Sequence, residues 1–352
     1  MRSEGNWQWI FALSIDDEVT WAITRANCAH WDLDTKTAYR GRPRYGTLVR
    51  LREDDCPQDV IHQALAELKD SDQNLAEAFD HVTAVGISTL GVVHRGTPHR
   101  PLTSEPRLDS IFRKSWRRPA PDCRYVIDFR SLFDMFGRGK DHLRIVAEND
   151  ATACCFAEYQ LTPGHARPKV LYYVVLSDGV NAGILVNGFA PNLPLHPEVG
   201  HIRPVLYERD TGFVEQTMTG CKVHGNCFEG LASHTRIMKQ WGKPLHLLAG
   251  DSRPGSPLDI IATYAAELAW AGACATAPEK FVIGGHVVVN EMIPLVRSKF
   301  DKLNSGYLPH YPVGATGADS FIQRARLRQH ESLLGALEMA RRAAVRHQLK
   351  PV

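Results

Sequence analysis

Residues 220–230 read GCKVHGNCFEG and place Cys221, His224 and Cys227, three side chains that bind transition metals, within one short stretch. A structural zinc ion takes four such ligands in a tetrahedron. His201, in the upstream segment HPEVGHIRP, is the predicted fourth ligand. Because protein would then fill every coordination position, the zinc is predicted to be structural. A Cys221–Cys227 disulfide and an accidental spacing remain as alternatives.

Composition limits the compartment and the partners. With 352 residues, of which 44% are hydrophobic and 23% charged, the chain is long enough for two globular domains. Its net charge of +2 favours neither nucleic acid nor an anionic membrane as a partner. The apolar run WIFALSI (9–15) is short and is followed by acids, which indicates a buried strand and not a secretory signal. We therefore expect a cytoplasmic protein whose cysteines are free or metal-bound, which disfavours the disulfide.

Alternating strand and helix patterns predict an α/β fold. A Pro- and Arg-rich segment at 94–123 is predicted to be a long functional loop. Predicted strands cover 8–15, 19–24, 81–93, 144–150, 169–188 (two strands joined by a turn at 177–181) and 280–287 (a strand that runs into a Gly-Gly turn). Predicted helices cover 58–69, 151–160, 257–275 and 331–347.

Two motifs resemble those of a known family. HPEVGH (196–201) and CKVHGNCFEGLAS (221–233) closely resemble the zinc-containing fructokinase branch of the ROK family of sugar kinases and repressors. The segments AENDATA (147–153), GISTLGVV (86–93), PLTSEP (101–106) and VIGGHV (282–287) also resemble this family. The resemblance implies a two-lobed fold of the actin/hexokinase type (ribonuclease H-like), with the sugar in the cleft between the lobes.

This resemblance also implies the division of the chain. Residues 1–130 are expected to form an N-terminal α/β lobe, and residues 131–330 a C-terminal lobe with the zinc and the sugar site. Residues 331–352 are expected to form a last helix that packs back on the N-terminal lobe.

The same resemblance implies a role for each motif residue. Asp150 would be the general base that takes the proton from a sugar hydroxyl, a contribution of typically ~10²–10⁴-fold. Asn149, Glu198 and Glu229 would bind ring hydroxyls, while His201 would ligate zinc and anchor that wall of the site. A simpler alternative is that Asn149 and Asp150 only cap the helix that follows them.

The first phosphate loop departs from the family pattern. The family has D-x-G-G-T after its first strand, whereas this chain has Asp16-Asp17-Glu18-Val19-Thr20. Both glycines, which allow the backbone to approach phosphates closely, are absent. Glu18 is expected to place a carboxylate where a phosphate would lie, which is unfavourable at short distance.

The second loop departs in the same direction. Where the family has G-T-G-x-G-G-G, residues 177–183 read SDGVNAG, so that Asp178 precedes Gly179 in place of the phosphate-facing threonine. In the nucleotide-side turn, Gly284 and Gly285 are followed by His286 where a third glycine is usual. These changes predict poor use of ATP.

Two functions follow from these features. In the first, the chain is a sugar-binding protein derived from a hexose kinase, either a pseudokinase or a repurposed carbohydrate enzyme. In the second, it is an ATP-dependent hexose kinase resembling fructokinase, which would require Mg-ATP. If Glu18, Asp178 and Asp150 converged, they would favour acid/base chemistry such as hydrolysis or epimerisation.

The expected partner is a small sugar, a hexose or an amino sugar. No helix-turn-helix segment precedes residue 8, so neither DNA binding nor repression is expected, and a membrane is not an expected partner. A homodimer is left open as the assembly.

Overall fold

The chain folds into two units, seen in a computed structural model that describes residues 8–27, 43–52, 55–94, 103–105, 127–136, 143–193, 196–207, 210, 220–221, 223–311, 321–327 and 329–345. Unit 1 comprises 1–160, 193–195 and 330–352, and unit 2 comprises 161–192 and 196–329. Within the described ranges, every helix is too short or too polar to cross a bilayer.

Twelve strands are assigned in the described residues. They are β1 (Trp9–Ile15), β2 (Glu18–Arg25), β3 (Arg44–Arg50), β4 (Val82–Thr89), β5 (Val92–His94), β6 (Thr103–Glu105), β7 (Ile127–Asp128), β8 (Arg144–Asn149), β9 (Val170–Leu176), β10 (Val180–Val186), β11 (Lys280–Gly284) and β12 (Ile322–Arg324).

The described α-helices lie mostly between these strands, as the alternating pattern predicts. They are α1 (Pro57–Asp70), α2 (Gln73–Asp80), α3 (Phe129–Leu132), α4 (Asp150–Leu161), α5 (Phe228–Ala232), α6 (His234–Trp241), α7 (Pro257–Thr276), α8 (Met292–Asn304) and α9 (Glu331–Val345).

The two main sheets share one topology. In unit 1 the strand order is β3-β2-β1-β4-β8, and in unit 2 it is β10-β9-β11-β12. Each sheet starts from an antiparallel hairpin, β1–β2 or β9–β10, whose first strand is then joined by parallel strands. Parallel strands need helical crossovers, so the polar residues that end these strands are carried to one edge of each sheet.

Helix α9 packs closely against both the sheet and helix α4 of unit 1, and one glycine makes each contact possible. A Cβ atom on Gly86 of β4 would lie 1.8 Å from the carbonyl oxygen of Ala336. On Gly335 of α9 it would lie 1.7 Å from the carbonyl oxygen of Ala153 in α4. The C-terminal helix is therefore part of unit 1.

The boundary between the units lies later than the sequence prediction of 130/131. Strand β8 pairs in parallel with β4 over Ala84–Thr89 and so completes the sheet of unit 1. Helix α4 follows β8 without a break, which keeps it with unit 1 up to Gln160. The prediction was wrong because it separated β8 from the sheet whose edge it forms.

Unit 2 is built around the hairpin β9–β10 and the long helix α7. The rings of Tyr172 and Phe281 stack with centroids 5.1 Å apart, and Gly272 of α7 allows the helix to approach them. Arg236 of α6 is fully buried and donates to Asp210 at 2.6 Å, and Tyr264 of α7 donates to the same carboxylate at 2.6 Å. This buried network fixes α6 against α7 just after the cysteine motif.

Element boundaries differ from the sequence prediction mainly at turns. The turn between β9 and β10 is shorter than the predicted 177–181, since β10 begins at Val180. Strand β11 ends at Gly284, at the Gly-Gly turn that the sequence predicts. Most of the predicted functional loop at 94–123, including most of PLTSEP, lies outside the described residues.

Candidate functional site

Four predicted metal ligands of unit 2 come together around one point. The Nδ1 atom of His201 lies 3.7 Å from Sγ of Cys221, 3.8 Å from Sγ of Cys227 and 3.2 Å from Nδ1 of His224. A tetrahedral zinc with ordinary bond lengths requires about 3.5 Å between nitrogen and sulfur and about 3.3 Å between two nitrogens. The observed distances fit this geometry, so these four side chains could hold a zinc ion with every position filled.

The two thiols of this cluster have pKa values shifted in opposite directions. The pKa of Cys221 is lowered, chiefly because Cys227 donates a hydrogen bond to its sulfur, and the pKa of Cys227 is raised by the same bond. Thiolates are the metal-binding form of cysteine. A metal ion at this cluster would displace thiol protons, because it stabilises both thiolates.

Glu198 lies behind the metal cluster, between two histidines. Its Oε2 atom is 3.8 Å from Nε2 of His201, the ring nitrogen that faces away from the cysteines, and its Oε1 atom is 3.1 Å from Nε2 of His196. A carboxylate on the outer nitrogen of a ligating histidine orients the ring and raises its basicity. This contact of His196 was not predicted from the sequence, although the residue begins the motif HPEVGH.

Glu229 is held by the turn between β9 and β10. It is only 6% exposed, and its Oε2 atom accepts a hydrogen bond from the backbone N–H of Val180 at 3.2 Å. A Cβ atom on Gly179 would lie 2.9 Å from the same oxygen, so a glycine lets the carboxylate approach the turn. Helix α5, which begins directly after Cys227, carries Glu229 to this position.

Asp178, in the same turn, faces two histidines that sequence analysis did not connect with it. Its Oδ1 atom lies 3.9 Å from Nε2 of His286, and the rings of His234 and His286 are 4.8 Å apart between centroids. The pKa of His286 lies below its ordinary value, because surrounding protein partly desolvates the ring; Asp178 opposes this effect and His234 adds to it. No regular spacing links the three residues, so only the fold brings them together.

Gly284 and Gly285 are required where β11 meets this hairpin. A Cβ atom on Gly284 would lie 1.9 Å from the Oη atom of Tyr173. Gly285 has a φ of +97°, and a Cβ atom there would lie 2.3 Å from the carbonyl oxygen of Leu176. Close packing therefore accounts for both glycines, whether or not a nucleotide binds.

In unit 1, Asn149 and Asp150 occupy the junction between β8 and α4. The Oδ1 atom of Asn149 accepts a hydrogen bond from the N–H of Thr152 at 3.0 Å, which caps the helix. Asp150 is the first residue of that helix. Asn149 is only 1% exposed, and its Nδ2 atom has no hydrogen-bond partner in the described part of the chain. Helix capping thus uses the Oδ1 atom of Asn149, while its Nδ2 donor is buried and unpaired within the described residues.

The predicted first phosphate loop is the turn of the β1–β2 hairpin. The Oδ1 atom of Asp16 accepts from the N–H of Asp17 at 2.7 Å, and Thr20 pairs with Ser14 inside the hairpin. Glu18 accepts from Oγ1 of Thr47 at 2.5 Å and lies 3.4 Å from Arg50.

These contacts mean that Glu18 is not the uncompensated negative charge that the sequence suggested. The pKa of Glu18 lies below its ordinary value, chiefly because Thr47 donates a hydrogen bond to it, with a weaker bond from Arg50. Its carboxylate therefore stays ionised, but the nearby guanidinium offsets part of its charge. Sequence analysis did not connect β3 with this carboxylate.

Comparison with known proteins agrees with this geometry. The ROK family profile matches residues 133–343, more than half of the chain. A fructokinase from Zymomonas mobilis is 32% identical over 171 residues, which cover 48% of this chain and 53% of that protein. The chain thus matches only about half the length of that relative.

Two solved structures share the fold. A ROK hexokinase from Thermus thermophilus superposes with a TM-score of 0.63 at 17% identity, covering 97% of this chain and all of that one. A ROK glucokinase from Streptomyces griseus, in complex with glucose and AMPPNP, gives a TM-score of 0.55 at 19% identity over 95% of this chain and 99% of that one. The predicted α/β fold of the actin/hexokinase type is confirmed, and this chain belongs to the ROK family, whose members include sugar kinases.

Proposed function

We propose that this chain is a sugar-binding protein derived from a ROK hexose kinase, in which the phosphate loops no longer serve Mg-ATP. One observation carries the proposal: the turn that resembles the second phosphate loop already holds carboxylates of its own chain. The carboxylate of Glu229 accepts a hydrogen bond from the backbone N–H of Val180, and Asp178 adds a second carboxylate at the same turn. Phosphate loops need free N–H donors and no competing negative charge.

The sugar half of the site retains the groups that hydroxyl recognition requires. The buried Nδ2 atom of Asn149 is a donor without a partner in the described residues, and such groups are costly unless a ligand satisfies them. Asp150 follows it at the start of α4. By resemblance to the family, we assign sugar recognition to Asn149 and Asp150 of unit 1, and separately to Glu198, His201 and Glu229 of unit 2.

Zinc has a structural role in this proposal. It would be held by His201, Cys221, His224 and Cys227, whose spacing supports a closed tetrahedral site. The ion would fix the segments that carry Glu198 and Glu229, one on each side of the cluster. Because no position stays open, the zinc itself would not contact the sugar.

The acid/base alternative receives little support from Glu18. A general acid needs a raised pKa, whereas Thr47 and Arg50 lower the pKa of Glu18. We therefore favour a pseudokinase over a hydrolase or an epimerase. A cytoplasmic location is part of this proposal, since the described cysteines form no disulfide with one another, as is usual in a reducing compartment.

An active hexose kinase is the second candidate, and the likeness to fructokinase favours it. Asp150 would then act as the general base and Mg-ATP would be the phosphoryl donor. The partial compensation of Glu18 by Arg50 also lessens repulsion of a phosphate at the first loop.

Separate calorimetric titrations distinguish the two halves of the site. The protein is titrated with fructose, glucose, mannose and their amino forms, and in a second series with Mg-ATP. The proposal predicts binding of at least one sugar and weak or undetectable binding of Mg-ATP, with or without that sugar. Failure of every sugar to bind would contradict the sugar-site assignment, and tight Mg-ATP binding would favour the kinase.

A further inference from the structure

We propose that Asp178, His234 and His286 form a second metal site, distinct from the four-ligand cluster, that binds a divalent transition-metal ion. One ligand atom from each of the three residues can be chosen so that all lie within 4.8 Å of one another. Two imidazoles and a carboxylate suit ions such as Zn²⁺, Co²⁺ or Mn²⁺, whereas Mg²⁺ and Ca²⁺ prefer sites made of oxygen alone. This inference does not depend on whether the protein binds sugar or ATP.

The backbone carries the three side chains on segments that are tied together. The N–H of His234 donates to the carbonyl oxygen of Ser177 at 2.7 Å, which fixes the start of α6 beside the turn of Asp178. On the other side, the N–H of Val287 donates to the carbonyl oxygen of Leu176 at 3.1 Å. The segments that carry His234 and His286 are thus both hydrogen-bonded to the backbone at the end of β9, next to Asp178.

Gly285 brings His286 to this position. Its φ of +97° is a conformation that side-chain-bearing residues rarely adopt, and it turns the chain sharply after β11. The Oγ1 atom of Thr235 also donates to the carbonyl oxygen of Asp178 at 3.4 Å. Such preorganisation of the backbone favours metal binding, because few degrees of freedom remain to be lost.

The side chains need only small movements to reach a shared ion. The Oδ1 atom of Asp178 and the Nε2 atom of His286 are 3.9 Å apart, and ligands of one tetrahedral ion lie about 3.3 Å apart. The Asp178 and His286 side chains are 35% and 50% exposed, so both can adjust without disturbing the core. With three protein ligands, at least one coordination position would remain for water or an anionic oxygen.

Bound metal would offset the negative charge at this turn. Asp178 and Glu229 both place a carboxylate there, and a divalent ion on Asp178 and two neutral imidazoles would balance these two charges. The site would then repel an anion less than the metal-free turn does.

Cobalt binding tests the site in protein that retains its structural zinc. Protein prepared without strong chelator is titrated with Co²⁺ by calorimetry and absorption spectroscopy, together with Asp178→Asn, His286→Ala and the control His246→Ala. His246 is an exposed histidine of the same unit, outside the cluster. We expect the parent protein and the control to bind one further Co²⁺ per chain, and both site variants to bind it at least about tenfold more weakly.

The absorption spectrum distinguishes this site from exchange at the cysteines. Co²⁺ held by Asp178 and two histidines gives no thiolate-to-metal charge-transfer band, whereas Co²⁺ that replaced zinc would give one. Mg²⁺ at the same concentration should not displace it. The proposal is overturned if no further Co²⁺ binds, if the site variants bind it as the control does, or if only the thiolate band appears.

Discussion

The carboxylate of Glu229 accepts a hydrogen bond from the backbone N–H of Val180 at 3.2 Å. This bond joins helix α5, which follows the cysteine motif, to the turn between β9 and β10. A residue assigned to the sugar site thus occupies a donor of the turn that resembles a phosphate loop. The contact depends on Gly179, where any side chain would approach the carboxylate. A change at Glu229 or at Gly179 is therefore expected to affect both sugar binding and the conformation of the turn that resembles a phosphate loop.

Glu229→Ala should weaken binding of the cognate sugar by about tenfold or more and leave zinc bound. Loss of a buried hydrogen-bonding carboxylate leaves partner groups unpaired, at a cost of ~1–3 kcal/mol each. Calorimetry and metal analysis on the same samples measure both effects. Glu291→Ala is the matched control, since Glu291 is exposed in the same unit. Equal sugar affinity in both variants would show that Glu229 has been misassigned.

Asn149→Ser separates helix capping from sugar recognition. A serine oxygen can still accept from the N–H of Thr152 and caps helices about as well as asparagine does, but serine lacks the Nδ2 donor and adds no charge to a buried position. We expect a melting temperature close to that of the parent and a sugar affinity reduced at least about tenfold. Asn149→Ala should lose sugar binding and also about 1 kcal/mol of stability. Undiminished sugar binding by Asn149→Ser would leave Asn149 with the cap alone.

Cys227→Ser should lose both zinc and thermal stability. The four-ligand site would be left incomplete, and structural zinc contributes directly to the free energy of folding. The control is Cys274→Ser, which changes an exposed free cysteine of the same unit. Metal analysis should give one zinc per chain in the parent and the control. A parent protein with no zinc, or with a Cys221–Cys227 disulfide under reducing conditions, would refute the assignment.

Gly335→Ala should destabilise unit 1, because its Cβ atom would lie 1.7 Å from the carbonyl oxygen of Ala153. Helix α9 also lies against Gly86 of β4, so it cannot shift freely away from α4, and overpacking of this kind typically costs ~1–3 kcal/mol or more. Gly250→Ala, where nothing lies within 4 Å, is the control. Denaturant unfolding compares the two. A Gly335→Ala protein as stable as the control would mean that α9 does not pack as described.

The sequence was sufficient for features that depend on neighbouring residues. Apolar runs on both sides of Asp16 and Asp17 predict the β1–β2 hairpin, and the spacing of Val60, Ile61, Leu65 and Leu68 predicts α1. The grouping of Cys221, His224 and Cys227 was predictable because cysteine and histidine at such short spacing have few other uses. Each of these patterns lies within a single segment, whereas His201 joins the cluster from the upstream segment HPEVGHIRP.

Features formed between distant segments were not predictable in this way. The contact between Glu18 and Arg50 depends on the register of β2 against β3, and nothing in the spacing links His286 to Asp178. Val19 illustrates the same limit: the sequence places it in a predicted strand and in place of a family glycine, but its complete burial in the core of unit 1 was not predicted. A glycine there would remove core packing as well as alter the loop.

Release of ADP by the unmodified protein tests the central claim most directly. A coupled assay with Mg-ATP and saturating amounts of whichever sugar binds by calorimetry is run beside an active fructokinase. The account predicts no ADP above background, although the sugar is bound, because Glu229 and Asp178 occupy the turn that would have to receive the phosphates. Sugar-dependent turnover of ~1–100 s⁻¹, the usual range for kinases, that disappears in Asp150→Asn would contradict it and establish the fructokinase-like alternative.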